Sequence, residues 1–154
     1  VRHFGGTPGL VPVTMKGKSD YLKKVMSDEG LSQFLLKIPS GIDVIFDAYG
    51  GAISNLKDDA TAFAHRENVV CSLQYYTQWE TAAQGEVKLA RLRAFHQAMR
   101  PYMSGSAYFN YCDMDLANWG EAYWGKNFAR LIQIKTKHDP KNIFKHGQSI
   151  PVKG

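Results

Sequence analysis

Val69-Val70-Cys71-Ser72-Leu73-Gln74-Tyr75-Tyr76-Thr77-Gln78-Trp79 alternates along its length. Val69, Cys71, Leu73, Tyr75, Thr77 and Trp79 share one parity; Ser72, Gln74, Tyr76 and Gln78 share the other. Side chains of a strand point to opposite faces in turn, so the run predicts a strand with one core face and one polar face. Upstream, Ile42 to Tyr49 repeats the pattern. Ile42, Val44, Phe46 and Ala48 oppose Asp43, Ile45, Asp47 and Tyr49, and the run stops at Gly50-Gly51. Downstream, Ala107-Tyr108-Phe109-Asn110-Tyr111-Cys112-Asp113-Met114-Asp115 reads as a further strand. It would set Tyr108 and Asn110 on one side and Phe109 and Tyr111 on the packing side. A phenol beside a carboxamide can address a polar ligand. The same aromatic run also suits a buried strand used for packing.

Helical patterns fill the gaps. Leu31, Phe34 and Leu35 recur at helical spacing after Ser27 and Asp28, and Pro39-Ser40-Gly41 stops them. Glu80 to Tyr102 predicts a long helix with Val87, Leu92, Phe95, Met99 and Tyr102 near one stripe. Asn118 to Lys137 predicts another, with Trp124, Phe128, Leu131 and Lys135 along one side and Asp139-Pro140 at its end. Val11 to Lys16 reads as an extended edge segment because of Pro12. The expected class is α+β: a mostly antiparallel sheet with helices on its apolar face. The polar face, free to line a site, would carry Asp43, Asp47, Tyr49, Gln74, Tyr76, Tyr108 and Asn110.

The chain has 154 residues, 44% hydrophobic and 21% charged, which suits an ordered domain with its own core. The net charge of +5 is spread out, with no run of five basic residues, which argues against nucleic acid as a partner. No stretch reads as a membrane span or a signal peptide. The five histidines and two cysteines lack metal-ligand spacing, so no metal site is expected. Cys71 falls on the core face as an inert thiol, and His65-Arg66 reads first as a surface loop.

The C-terminal third carries an ordered set of motifs. Tyr108-x-Asn110-Tyr111-x-Asp113-x-Asp115-Leu116 precedes Trp119-Gly120-Glu121-x-Tyr123, then Asn127-Phe128-x-Arg130-Leu131. Lys135-x-x-x-Asp139-Pro140-x-Asn142-x-Phe144 and Gln148-Ser149-Ile150-Pro151 follow. In order and spacing this set resembles the C-terminus of the berberine bridge enzyme-like FAD-linked oxidases of the vanillyl-alcohol oxidase superfamily. Lys16-Gly17-Lys18-Ser19-Asp20-Tyr21, Tyr49-Gly50-Gly51, His65-Arg66 and Gln74-Tyr75 ahead of Trp79 extend the resemblance upstream.

The resemblance implies a division into a loop or tail (1–10), a substrate-binding α+β domain (11–115) and a C-terminal segment (116–154) that packs on an FAD domain. It further implies a longer or two-chain FAD-dependent oxidoreductase whose FAD-binding part lies N-terminal to this chain, so the compartment is left open. The expected reaction is oxidation of an alcohol or sugar hydroxyl by hydride transfer to flavin, with oxygen as acceptor and no nucleic acid or membrane as partner. Ring-forming oxidation of an alkaloid or polyketide, and a non-catalytic remnant, are the alternatives. By position, Tyr108 matches the family's tyrosine base, with Gln74 beside it and Tyr76 on its face. Asn110 matches the residue near the flavin ring, where Tyr108 also lies, and Tyr123 and Asn127 resemble positions close to the cofactor. A phenol ordinarily titrates near 10, so a tyrosine base needs a hydrogen bond or a positive charge that favours phenolate. Some plant members carry a lysine two residues before the glutamine; here Ser72 stands there.

Overall fold

The computed structural model describes residues 14–153. The 1–10 tail and the first residues of the 11–16 segment lie outside the described residues. Three strands, β1 (Thr14–Leu22), β2 (Asp43–Ala48) and β3 (Cys71–Trp79), form an antiparallel sheet in the order β1-β3-β2. Helices α1 (Asp28–Lys37) and α2 (Ala82–Met99) lie over one face. This is the expected α+β class.

The alternation of β3 works as the sequence predicts. Leu73 and Tyr75 are fully buried, and Cys71 and Thr77 nearly so. They pack with Leu22, Phe34, Ile42, Leu92, Phe95 and Met99 into the main core. Each large apolar side chain taken out of water there contributes about 1.5–3 kcal/mol. Ser27 caps α1 by accepting from Gly30 N, and Thr81 with Gln84 forms a capping box at the start of α2. β2 is an edge strand, so Phe46, on the core parity, stays 47% exposed and meets the core only through Phe34.

Four expectations are corrected. First, Ala107–Asp115 is not a strand. Its backbone N–H groups go to turns and to side chains: Tyr111 N to Tyr108 O, Tyr108 N to Ser19 Oγ, and Asp113 N to Tyr123 Oη. Second, β1 runs six residues beyond Lys16. Its core-side positions are Lys16, Lys18 and Asp20, which hide the alternation because that parity buries charge instead of hydrocarbon. Third, the predicted 118–137 helix is two helices, α3 (Trp119–Trp124) and α4 (Phe128–His138), joined by a 3-10 turn. Gly125, at φ +48°, makes the break, so Trp124 does not share a stripe with Phe128. Fourth, the long helix ends at Met99, with Pro101 in a 3-10 turn, and Val87 is exposed rather than on the buried stripe.

A second, smaller core holds the C-terminal segment: Ala107, Ala122 and Tyr123, flanked by Phe109, Leu116, Trp119 and Trp124. What joins it to the sheet is mostly polar. Lys18, only 4% exposed, sits 2.6 Å from Asp113 and 3.1 Å from Asp115; Lys16 reaches Asp113 at 2.5 Å; Arg93 of α2 grips Asp115. The segment thereby covers the free edge of β1, a service every exposed edge requires. Among the described residues no helix is long and apolar enough to cross a membrane.

Candidate functional site

The sheet face opposite the helices is built in rows by strand register. Asp47, Ser72 and Tyr21 form one row, Ile45, Gln74 and Ser19 the next, and Asp43, Tyr76 and Gly17 the third. Directly paired residues share a face, so the predicted grouping of Asp43, Asp47, Gln74 and Tyr76 is observed. Ser72 Oγ lies 3.5 Å from Asp47 Oδ2. The Tyr76 hydroxyl donates to Gln78 Oε1 at 2.8 Å.

Tyr108 and Asn110 reach this face without a strand. Ser19 Oγ accepts from Tyr108 N at 2.8 Å, which fixes the segment on the middle row, opposite Gln74. A turn then folds the chain so that Asn110 Nδ2 donates to Tyr108 Oη at 2.7 Å. Tyr111, expected on the packing side, instead sets its ring against Tyr108, with centroids 5.0 Å apart and planes at 86°. Phe109 alone takes the packing role, stacked on Trp124 at 4.6 Å. The turn explains the difference, since strict alternation holds only in a strand.

Beneath this patch lie phenols that the motif reading did not assign. Tyr21 is fully buried, its hydroxyl accepting from Tyr49 Oη at 3.4 Å. Burial pushes its phenol well above the ordinary value, and the bond to Tyr49 adds to the effect. Tyr111 is likewise raised, by burial and by the Asp47 carboxylate. These groups are neutral phenols at any physiological pH. Tyr21 was missed because β1 reads as ending before it, and its place opposite Ser72 follows only from the strand register.

His65 corrects a further expectation. It is 2% exposed rather than part of a surface loop. Its ring lies 4.5 Å from that of Tyr21, and Phe63 packs edge-on against both His65 and Tyr108. Burial, reinforced by Lys23, holds the imidazole below its usual range. The loop that carries it is pinned at several points. Asp58 Oδ1 accepts from Arg66 N and Glu67 N, and Asn127 Nδ2 donates to the Asp58 and Thr61 carbonyls.

The structure does not bring Tyr123 and Asn127 to the Tyr108 patch. Tyr123, 2% exposed, accepts from Asp113 N at 2.8 Å and donates to Gln148 Oε1 at 3.3 Å; Gln148 Nε2 closes the ring on Asp113 O. Asn127 is buried in the loop clamp just described. Within this chain both side chains spend their hydrogen bonds on holding segments in place. A separate cleft of about 540 Å³, between Trp124 and the 144–150 loop, contains neither Tyr108 nor Asn110. The site is therefore an open platform. Among the described residues no group of three His, Cys, Asp or Glu side chains is placed to hold a metal.

The helix-backed antiparallel sheet is a fold shared with solved berberine bridge enzyme-like proteins. The chain superimposes on berberine bridge enzyme-like protein 1 of Physcomitrella patens with a TM-score of 0.86 at 33% identity, covering 94% of this chain and 32% of that one. Residues 107–151 match the berberine and berberine-like family model. The chain is 36% identical to berberine bridge enzyme-like C-1 of Nicotiana tabacum over 92% of its own length and 31% of that protein's. A monolignol oxidoreductase of the same group from Arabidopsis thaliana is also 36% identical, over 88% and 28% respectively. The chain thus spans about a third of the length of the relatives it matches.

Proposed function

We propose that this chain forms the substrate platform of an FAD-dependent oxidoreductase that oxidises an alcohol or sugar hydroxyl. The observation that carries the reading is the Asn110 amide donating to the Tyr108 phenol on the open sheet face. Tyr108 accepts the substrate hydroxyl proton. As that proton leaves the substrate, its carbinol carbon gives up a hydride and becomes a carbonyl carbon. FAD, when bound, supplies the two-electron acceptor for that hydride. Oxygen then takes the electrons in this reading.

The residues present fit such a group. Asn110 is exposed, its carbonyl oxygen makes no bond within the described residues, and the Tyr108 oxygen takes only the Asn110 N–H there, which leaves it a further lone pair for a substrate proton. Both are therefore assigned to the flavin side of the platform, and Gln74 and Tyr76 to the substrate side of the same face. The Asn110 N–H supports the phenolate form of Tyr108 that takes the proton and becomes neutral phenol, the function a nearby lysine would otherwise serve. Tyr123 and Asn127 are assigned to the cofactor side as residues that hold its surrounding segments. The partners are the FAD-binding part of the longer protein, a small alcohol or sugar, and oxygen. The likeness to a monolignol oxidoreductase favours an alcohol over ring closure.

The test uses the full-length flavoprotein. Tyr108→Phe is expected to slow anaerobic flavin reduction about 10²–10⁴-fold, the usual contribution of a positioned proton acceptor, with flavin content kept. Reduction at the unaltered rate removes Tyr108 from the role. A colourless preparation removes the flavin itself.

A further inference from the structure

The fold invests heavily in placing one residue that the proposed reaction does not use. His65 lies in a loop fastened at three points to two elements, β1 and the start of α4. Asp58, whose carboxylate receives Arg66 N and Glu67 N, is 3.7 Å from Lys23 Nζ at the end of β1. Asn127, at the α4 N-terminus, holds the Asp58 and Thr61 carbonyls. Val70, at the loop's far end, donates to Leu22 O of β1. These attachments keep the imidazole under the sheet's open face, 2% exposed, with the Ala122 and Tyr123 backbone beside the ring and Nε2 itself without a close partner among the described residues.

The ring's contacts show what the placement achieves. One side meets Tyr21, whose hydroxyl receives the Tyr49 hydroxyl. Another meets the edge of Phe63, which in turn meets Tyr108 at 6.2 Å and 89°. Tyr108 is braced from its far side by Tyr111 and from below by Ser19. Phe63 thus touches both the buried histidine and the candidate proton acceptor.

We propose that His65 is a positioning residue for Tyr108: a buried imidazole wedge that sets the Phe63 and Tyr21 rings, and through Phe63 fixes the direction of the Tyr108 phenol. The inference rests on Tyr108 being the proton acceptor. A rotation of the phenol by a fraction of an ångström at its oxygen is enough to matter, since small misplacements of a reacting group are felt strongly in rate.

The experiment is a double-mutant cycle in the full-length flavoprotein, read by anaerobic flavin reduction per bound flavin. His65→Leu keeps the volume and removes the ring; His65→Phe restores a ring. His65→Leu is expected to lower the limiting reduction rate about 10- to 100-fold, while substrate Kd moves less than about threefold, and His65→Phe is expected to recover most of the loss. In a Tyr108→Phe background, His65→Leu is expected to have no further effect, because residues that act through one another do not add. Full additivity of the two changes overturns the inference, as does a rate per flavin left unchanged by His65→Leu. If His65→Leu does not yield folded flavoprotein, His65→Gln takes its place with the same expectations. Failure of the underlying reading looks different: Tyr108→Phe alone then leaves reduction unchanged.

Discussion

The two sides of β1 use opposite means to the same end. On the helix side, Lys16, Lys18 and Asp20 bury charge and hold it with partners from elsewhere in the chain: Asp113, Asp115, His96 and Arg100. On the open side, Ser19 and Tyr21 offer hydroxyls, which receive the Tyr108 backbone N–H and the Tyr49 hydroxyl. A buried ion pair is a registry device: it adds little net stability over hydrocarbon, but it tolerates no substitute partner. A hydroxyl face leaves its groups free to serve a ligand. One strand therefore both locks the C-terminal segment in register and displays the chemistry that the segment brings.

The lock is the easier side to break. Asp113→Ala leaves buried Lys18 and Lys16 to share Asp115 as their one remaining carboxylate among the described residues. The expected loss is about 3–5 kcal/mol in denaturant unfolding of the full-length protein. Less than about 1 kcal/mol would mean that the lock is not what holds the segment. Tyr123→Phe removes a hydroxyl that serves Asp113 N and Gln148 Oε1 together. Two buried groups lose their partner, so roughly 2–4 kcal/mol is expected, measured the same way. Were the loss confined to flavin affinity with unfolding unchanged, Tyr123 would belong to the cofactor and not to the lock.

The two sides also respond differently to acid. Although burial works to raise it, the Asp113 carboxyl is held below its ordinary value by the Lys16 and Lys18 ammonium groups. Asp115 is held lower still, chiefly by Arg93 and then by Lys18, against the opposing effect of its partial burial. Carboxylates depressed in the folded state contribute stability that is complete above their ordinary pKa, near 4, and lost as pH falls through the folded values. Stability should decline modestly below about pH 6.5, where the unfolded chain takes up a proton that buried His65 resists, and fall steeply below about pH 4 as the carboxylates protonate. The Asp113→Asn variant should show a shallower fall, read from unfolding midpoints across pH. The phenols Tyr21 and Tyr111 stay protonated over that whole range and contribute nothing to the slope. The smallest stability effect belongs to the open side. Asn110→Ala is expected to change unfolding by no more than about 0.5 kcal/mol, because the side chain is exposed. It should nonetheless slow flavin reduction by about tenfold, which separates function from structure on that face.

The sequence shows how each side could be read in advance. β3 was legible because its alternation is apolar against polar, and the rows of Gln74, Tyr76, Asp43 and Asp47 followed from it. β1 was legible only in its first residues, because Lys18 and Asp20 occupy core positions and look like surface residues until their partners, some ninety positions away, are known. The Tyr108 segment was misread as a strand for a related reason. Its donors are satisfied by Ser19 and Tyr123 side chains, and no local pattern records such long-range bonds. The proximity of Tyr108 and Asn110 was nonetheless anticipated, since a tight turn and a strand can both bring residues two apart to one side. His65 could not be found from pattern, because a histidine in a loop gives no sign that the loop folds beneath the sheet.

Rapid-mixing measurement of flavin reduction in the full-length Tyr108→Phe protein, with flavin content quantified by absorbance, addresses the central claim. A fully yellow enzyme that reduces about 10²–10⁴-fold more slowly, with unfolding stability unchanged, is the result this structure predicts. A fully yellow enzyme reduced at the original rate would contradict it and return the Tyr108 platform to a packing role.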